Sequence, residues 1–204
     1  MRLLHVDSSI LGSKSASRAL TSEIVAAELE RSPDVTVTYR DLAANPLQHF
    51  THFHLPPRDA STNDVPPELQ SDVADSAAVL EEFLAADVIV IGAPMYNFAI
   101  PSQLKAWIDR LAIAGKTFKY GPNGPEGLAG GKRVIIASTR GGVYAPGTAT
   151  AGLDHQETYL RAIFGFVGIT DIQFIRAEGL AVAALREQAM ERARSEIAAT
   201  EMVA

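Results

Sequence analysis

The feature that most constrains the fold of this chain is a regular alternation of short apolar runs with helical patterns. Parallel strands need long crossover connections, and a strand that is apolar along its whole length needs helices on both faces of its sheet. The alternation therefore predicts an α/β protein built on a parallel sheet. The five runs that we interpret as strands are 2–7, 35–40, 87–92, 132–138 and 171–176.

Helical patterns occupy four of the connecting stretches. Apolar residues at i, i+4 and i+7 predict one helix after the first strand and another after the third, where Pro101 is expected in the first turn with Ser102 beside it. The two stripes are Leu20, Ile24, Ala27 and Leu104, Ile108, Leu111. Residues 152–166 and 182–200 supply the other two helices. These elements predict a doubly wound five-stranded sheet, flavodoxin-like or Rossmann-like, in one domain spanning 1–204.

Composition excludes several classes of chemistry. The 204 residues include no cysteine, which rules out a disulfide framework, a thiolate nucleophile and an iron–sulfur cluster, so redox chemistry would need a bound cofactor. The net charge of −6 argues against a nucleic-acid partner. The apolar stretch at the N-terminus is too short for a signal peptide, and no run reaches the ~18 apolar residues of a membrane span. We therefore expect a soluble, cytoplasmic protein.

Residues 41–67 do not fit the alternation. This long, proline-containing connection holds three of the five histidines, His49, His52 and His54. A connection of this length is commonly functional, interfacial or mobile. The histidine spacing matches no metal-ligand motif and no carboxylate accompanies it in register, so we favour a solvated loop over a metal site.

The residues after the third strand are unusual for a surface turn. Turns favour Gly, Asn, Asp and Ser, yet here Met95, Tyr96, Asn97 and Phe98 follow the strand directly. These large side chains have no obvious core to enter at a strand end. We therefore predict that a flat, apolar ligand covers them.

A serine-rich loop follows the first strand, at residues 8–17 with the sequence SSILGSKSAS. A helix N-terminus presents unpaired N–H groups and a partial positive charge, so added hydroxyls from Ser15 and Ser17 predict a phosphate site. A plain cap would use a single serine, such as Ser17. The loop lacks both G-x-G-x-x-G and G-x-x-x-x-G-K-[ST], which favours a mononucleotide.

A third loop, at 138–147, carries Gly141 and Gly142, which can bring bare backbone against a ligand. All three loops follow strands of one sheet, at the edge where such sheets bind ligands. FMN combines a terminal phosphate, a planar ring and a hydrogen-bonding edge. Its phosphate suits the serine loop, its ring the aromatic residues, and its pyrimidine edge the backbone near Asn97 and the two glycines.

The sequence resembles the FMN-dependent NADH:azoreductases, which belong with the NAD(P)H:quinone oxidoreductases in the flavodoxin-like fold. The resemblance runs nearly end to end, and PMYNF and NGPEG are its most specific parts. The matching segments are APMYNF (93–98), RDLAANP (40–46), QLK (103–105), NGPEGL (123–128), GFVGITD (165–171) and AEGL (177–180).

Carried onto this sequence, the flavin contacts of the family fall on the three loops. They are Ser9, Ser15, Ala16, Ser17, Met95, Tyr96, Asn97, Phe98, Thr139, Arg140, Gly141 and Gly142. The position of Ala16 is often polar in the family, so only its backbone N–H is left to contribute. Thr139 and Tyr144 stand where some relatives have Ser and His. The resemblance also favours Tyr120 near the substrate pocket.

The resemblance implies that NADH or NADPH reduces the flavin and leaves, after which a quinone or azo compound takes the electrons. It assigns no side chain as an obligatory acid or base. We also expect a homodimer with its flavin sites at the interface, because 115–128 and 152–166 carry more apolar bulk than one sheet obviously buries. Ile163 on the second segment is a candidate substrate contact, whereas Phe164 and Phe166 suit the core equally well.

Two other functions share this fold. A flavodoxin-type electron carrier would bind the same cofactor but would not need the additional segments 41–67 and 115–128. A phosphate-accepting receiver domain needs an Asp at the end of the third strand, where this chain has IGAP. We therefore favour the enzyme and keep the electron carrier as the alternative.

Overall fold

The computed structural model describes residues 1–55 and 65–201, with side chains as far as Ala199. One parallel sheet has the strand order β2-β1-β3-β6-β7, which is the flavodoxin-like order. Its strands are β1 (Arg2–Asp7), β2 (Thr36–Asp41), β3 (Val88–Pro94), β6 (Arg133–Thr139) and β7 (Asp171–Ala177). The predicted α/β fold and its five strands are confirmed.

Helices cover both faces of the sheet. They are α1 (Ala16–Arg31), α2 (Pro67–Ala85), α3 (Ser102–Ile108), α4 (Gln156–Phe166) and α5 (Ala183–Glu201). Leu3 packs with α1 and α5 in one core, while its neighbour Leu4 packs with the other three helices in a second core. Successive side chains of a strand point to opposite faces, so β1 contributes to both cores.

The helices of the structure differ from the predicted ones in three respects. Helix α2 was not predicted; among its apolar side chains only Val79 and Phe83 are fully buried, so its stripe is short. Helix α4 begins at Gln156 rather than at 152, because Ala151–Leu153 forms a separate 3-10 turn. Pro101 occupies the N-cap of α3 rather than its first turn.

An antiparallel hairpin, β4 (Phe118–Gly121) and β5 (Gly124–Gly127), lies outside the main sheet and was not predicted. It packs against the end of α4, where the rings of Phe118 and Phe166 are 4.7 Å apart. At Gly127 the backbones touch so closely that an added Cβ would lie 2.2 Å from the Gly168 nitrogen. Only glycine fits at position 127, because its backbone lies directly against the backbone of Gly168.

The histidine-containing connection is partly fastened to the core. His54 is buried and its Nε2 lies 2.7 Å from Asp72 Oδ2, whose other partner is the buried Arg110 at 2.6 Å. The prediction of a solvated loop is therefore wrong for His54, whereas His49 and His52 are exposed. Within residues 1–55 and 65–201, no three His, Asp or Glu side chains are grouped to hold a metal. In the same ranges, no helix has the length and hydropathy to cross a membrane.

Candidate functional site

The loops after β1, β3 and β6 meet at one edge of the sheet because these three strands are neighbours. The Tyr96 hydroxyl lies 3.3 Å from Ser9 Oγ and accepts the Ile10 N–H at the same distance. On the other side, the Met95 N–H donates to the Thr139 carbonyl at 2.7 Å. The structure therefore brings together the three loops that the sequence predicted.

The serine loop leads into α1 through a side-chain cap. Ser15, rather than Ser17, is the N-cap, and its Oγ accepts the Arg18 N–H at 3.3 Å. The Ser15 and Ser17 hydroxyls are 3.0 Å apart, so at least one hydroxyl hydrogen is left over. The N–H groups of Ala16 and Ser17 belong to the first helical turn and have no preceding helical carbonyl. This set of neutral donors suits an anion.

Three hydroxyls of this loop, those of Ser9, Ser15 and Ser17, are tightly enclosed. Ser9 and Ser17 are 0% exposed and Ser15 only 4%. The Tyr96 hydroxyl occupies the acceptor position beside Ser9 and Ile10. A phosphate entering here would have to displace that hydroxyl, and would offer the Ile10 N–H a stronger, charged acceptor.

The aromatic loop folds into a strained two-residue turn. Reciprocal hydrogen bonds join Tyr96 and Ala99 at 2.9 and 3.1 Å, and both central residues have positive φ, +49° at Asn97 and +70° at Phe98. Such turns normally use glycine, and a bulky residue in this region is strained by about 1–3 kcal/mol. The Phe98 carbonyl accepts the His155 N–H, which helps to hold the turn. The Phe98 side chain is 43% exposed.

The glycine loop is held by its carbonyl groups. The Gly141 carbonyl accepts the Ala181 N–H at 3.1 Å, and the Gly142 carbonyl accepts the Gly179 N–H at 2.8 Å. In a trans peptide the N–H points away from the carbonyl, so the Gly142 N–H faces away from Ala181. Tyr144 follows and makes an edge contact with Phe98, with ring centroids 6.3 Å apart.

Arg140 has a different environment from that expected of a flavin contact. It is buried, and its guanidinium pairs with Asp154 at 2.6 Å and Glu157 at 2.7 Å, while its backbone N–H donates to the Ala177 carbonyl. Through these ion pairs the Arg140 side chain holds the glycine loop against the start of α4. Sequence reasoning could place Arg140 on the rim but could not show which way its side chain points.

A cleft of about 680 Å³ opens beside the aromatic turn. It is lined by Ile10, Tyr96, Asn97, Ala99, Ile100, Ser102, Gln103, Lys105, His155 and Tyr159. Only Tyr96 and Asn97 among these were predicted as site residues, although Gln103 and Lys105 belong to the QLK motif. Burial, helped by the nearby Asp109, raises the pKa of Tyr159 to about 12, so this wall carries a neutral phenol.

Tyr120 and Ile163 do not line the cleft of their own chain. Tyr120 is 77% exposed on the hairpin, and Ile163 is half-buried against the core. Their contact with substrate stays a prediction.

An ion pair lies under the serine loop. The Arg18 guanidinium binds both oxygens of Asp41 at 2.7 Å. The hydrogen bonds from Arg18 outweigh burial and lower the pKa of Asp41 to about 2. Nearby, burial together with the charge of Asp7 raises the pKa of Tyr39 to about 12. Arg18 therefore stays positively charged, Asp41 negatively charged and Tyr39 neutral throughout the physiological pH range.

The low pKa of Asp41 predicts an acid-dependent contribution to stability. A carboxylate with a depressed folded-state pKa stabilises the protein above its unfolded value of 3.8 and loses that effect as the pH falls towards about 2. The difference in unfolding free energy between wild type and Asp41→Asn should be constant above about pH 5 and shrink below about pH 4. Urea unfolding across this range measures it. Asp109→Asn, in an exposed pair with Lys105, is the control and should change stability by at most ~0.5 kcal/mol. A wild-type to Asp41→Asn difference that is unchanged at the lowest pH would contradict the assignment.

Comparison with known proteins agrees with this geometry. A sequence profile described as "Flavodoxin-like fold" matches residues 1–200. The FMN-dependent NADH:quinone oxidoreductase of Methylocella silvestris is 61% identical over 181 residues, which is 89% of each protein. The crystal structure of an azoreductase from Bacillus anthracis str. Sterne superposes with a TM-score of 0.86 at 30% identity, covering 98% of both chains.

A second Bacillus anthracis structure, an FMN-dependent NADH-azoreductase from str. Ames Ancestor in complex with FMN, has a TM-score of 0.83 at 26% identity and covers 98% of this chain and 100% of that one. The fold and the rim of loops thus define a flavodoxin-like protein. Within that class, this chain belongs to the family of FMN-dependent NADH:quinone oxidoreductases. The resemblance seen in the sequence is confirmed.

Proposed function

We propose that this protein is an FMN-dependent NADH oxidoreductase that reduces quinones and azo compounds by two-electron, ping-pong transfer. The observation that carries the proposal is the meeting of three loops, one rich in donors, one aromatic and one glycine-rich, beside an open cleft. The names of the relatives support FMN as cofactor and NADH as donor. They do not favour a flavodoxin-type electron carrier. The proposal covers one domain, 1–204, and includes NADPH as a second electron donor.

The donor set fits FMN in three parts. The serine loop, with Ser9, Ser15, Ala16 and Ser17, offers neutral hydroxyl and N–H donors at a helix N-terminus, which suits a phosphate. The aromatic turn offers an apolar surface for a flat ring, and the glycine loop offers backbone N–H groups. When bound, FMN would supply the exchange of two electrons with a nicotinamide and with an acceptor.

The chain itself would bind and orient the substrates. The cleft volume of about 680 Å³ lies within the usual range for small-molecule sites, roughly 300–1,000 Å³. Ile100 and Tyr159 give it an apolar wall that suits a planar acceptor, and Gln103 and His155 supply polar contacts. No side chain needs to act as an acid or base, because water can reach this open site.

We further propose that the active form is a homodimer in the cytoplasm, where NADH is supplied. A ring on the rim is covered by its own loops on one face, so a second wall is needed on the other. Tyr120 protrudes from its hairpin, and Leu128 and Leu153 are also more than one-third exposed. Tyr120 and Ile163 would therefore contact substrate at the interface between two copies.

Cofactor extraction and initial-rate kinetics test this function. Heat-released cofactor should be FMN, one per chain, rather than FAD, and double-reciprocal plots with NADH and a quinone varied together should be parallel. The mass in solution should be that of two chains. Recovery of FAD, or no flavin even after FMN is added, would rule out the cofactor. Intersecting lines would contradict the ping-pong order, and a monomer fully active when highly diluted would contradict the shared site.

A further inference from the structure

We infer that Arg18 is a positioning residue for the cofactor phosphate, because it holds the Ser9 carbonyl and so turns the Ile10 N–H towards the place beside Ser9 Oγ that the Tyr96 hydroxyl occupies. This inference rests on the proposed function. Arg18 belongs to none of the predicted contact sets, and it acts through the backbone rather than by touching the ligand.

The planar guanidinium of Arg18 connects the loop after β1 with the end of β2. Its Nε and Nη2 both donate to the Ser9 carbonyl, at 3.2 and 2.9 Å. Its Nη1 and Nη2 hold the two oxygens of Asp41 at 2.7 Å, and Nη1 also donates to the Tyr39 hydroxyl at 3.1 Å. A guanidinium presents its donors in a rigid plane, so the bonds to Asp41 also fix the direction in which Arg18 donates to the Ser9 carbonyl.

The hydrogen bonds from Arg18 to the Ser9 carbonyl determine where the Ile10 N–H points. A trans peptide holds its carbonyl and N–H in opposite directions, so a Ser9 carbonyl turned to Arg18 sends the Ile10 N–H to the other side. On that side the Ile10 N–H meets the Tyr96 hydroxyl, beside Ser9 Oγ. Arg18 thus keeps a carbonyl dipole away from the proposed phosphate and a donor towards it.

The net charge of Arg18 is a weaker explanation for such a role. Asp41 neutralises the guanidinium directly, and Asp7 Oδ2 lies 3.7 Å from Nη1. Long-range attraction for a phosphate is therefore largely cancelled. Without Arg18 the Ser9 carbonyl would lose both of its guanidinium donors, and the peptide could rotate to present oxygen to an anion. The loss should fall on ligands that carry the phosphate.

The test compares FMN with riboflavin, which lacks the phosphate, on the apoprotein by flavin fluorescence titration. Arg18→Met should weaken FMN by about 10- to 100-fold, the range for hydrogen bonds to charged groups, and riboflavin by less than about threefold. Arg18→Lys should lie between wild type and Arg18→Met, because one ammonium cannot hold Ser9 and Asp41 in the same plane. Arg31→Met is the matched control: it breaks the pair of Arg31 with Glu28 in the last turn of the same helix and should leave both affinities unchanged.

Several outcomes separate this inference from the proposed function. Wild-type apoprotein that binds neither flavin would refute the proposed function itself. If wild type binds FMN and Arg18→Met binds it equally well, the positioning role is overturned. Equal weakening of FMN and riboflavin would also overturn it, since that pattern reports a general loss of structure. Thermal unfolding of each variant shows whether it folds. If Arg18→Met does not fold, Arg18→Lys is used in its place, and an affinity for FMN equal to that of wild type would then overturn the positioning role.

Discussion

Replacing Ser15 and Ser17 together by alanine is expected to weaken FMN binding by at least about tenfold while riboflavin binding barely changes. The two hydroxyls are 3.0 Å apart at the start of α1 and leave at least one hydrogen to donate. A donor to a charged phosphate contributes roughly 1.5–3 kcal/mol, and riboflavin has no phosphate to receive it. Titration of both flavins into apoprotein measures the ratio.

The control for this double variant is Ser13→Ala, which makes the same chemical change in the same loop at an exposed position. It should leave the affinity for FMN unchanged. The double variant also loses the Ser15 cap, which costs about 1 kcal/mol of stability. If FMN and riboflavin weakened equally, the serines would act through that stability alone, and the phosphate assignment would be wrong.

Gly127→Ala is expected to lower the free energy of unfolding by about 3 kcal/mol, at the upper end of the usual cost of overpacking. A Cβ there would lie 2.2 Å from the Gly168 nitrogen and 2.3 Å from the Val167 carbonyl carbon. Both are backbone atoms, which cannot rotate away as a flexible side chain can. The hairpin would have to separate from α4 and break the 2.8 Å bond from the Ala129 N–H to the Val167 carbonyl.

The matched control is Gly165→Ala, in α4 close to the same contact. An added Cβ meets nothing within 4 Å at Gly165, and alanine favours a helix over glycine by about 0.8–1.0 kcal/mol. Urea unfolding should therefore show one glycine variant losing stability and the other gaining slightly. Equal stability of Gly127→Ala and wild type would contradict the docking of the hairpin on α4.

The sheet could be predicted from sequence because its signals are local and repeated. Each buried strand is a short apolar run, and parallel strands require helical crossovers between them. Helix α2 escaped prediction because few of its apolar residues are fully buried. The hairpin escaped as well, since β4 and β5 are four residues each and β5 has the sequence GPEG. Its stability comes from contacts with α4, far away in the sequence.

The place of the site was predictable, whereas the directions of its side chains were not. Loops after neighbouring strands must meet at one edge, so Ser9, Tyr96 and Gly141 were correctly expected on one rim. Nothing in the sequence distinguishes a rim arginine that faces a ligand from Arg140, which is buried among carboxylates. The burial of Ser17 likewise depends on tertiary packing.

Much of the cleft wall was missed for a related reason. Ile100 and Gln103 follow the strained turn, but His155 at the N-cap of α4 and Tyr159 within α4 lie over fifty residues further along the chain. Only the sheet order, which places β6 beside β3, brings α4 next to the aromatic loop. A single sequence gives the order of strands in the chain but not their order in space.

The central claim is that one flavin site on this chain exchanges electrons with NADH and then with a quinone. Anaerobic stopped-flow mixing of the FMN-loaded protein tests it most directly. We expect NADH alone to bleach the visible flavin absorbance, and a quinone added in a second mix, after NAD⁺ has been removed, to restore it fully. Flavin absorbance that NADH leaves unchanged, or that a quinone fails to restore, would contradict the account.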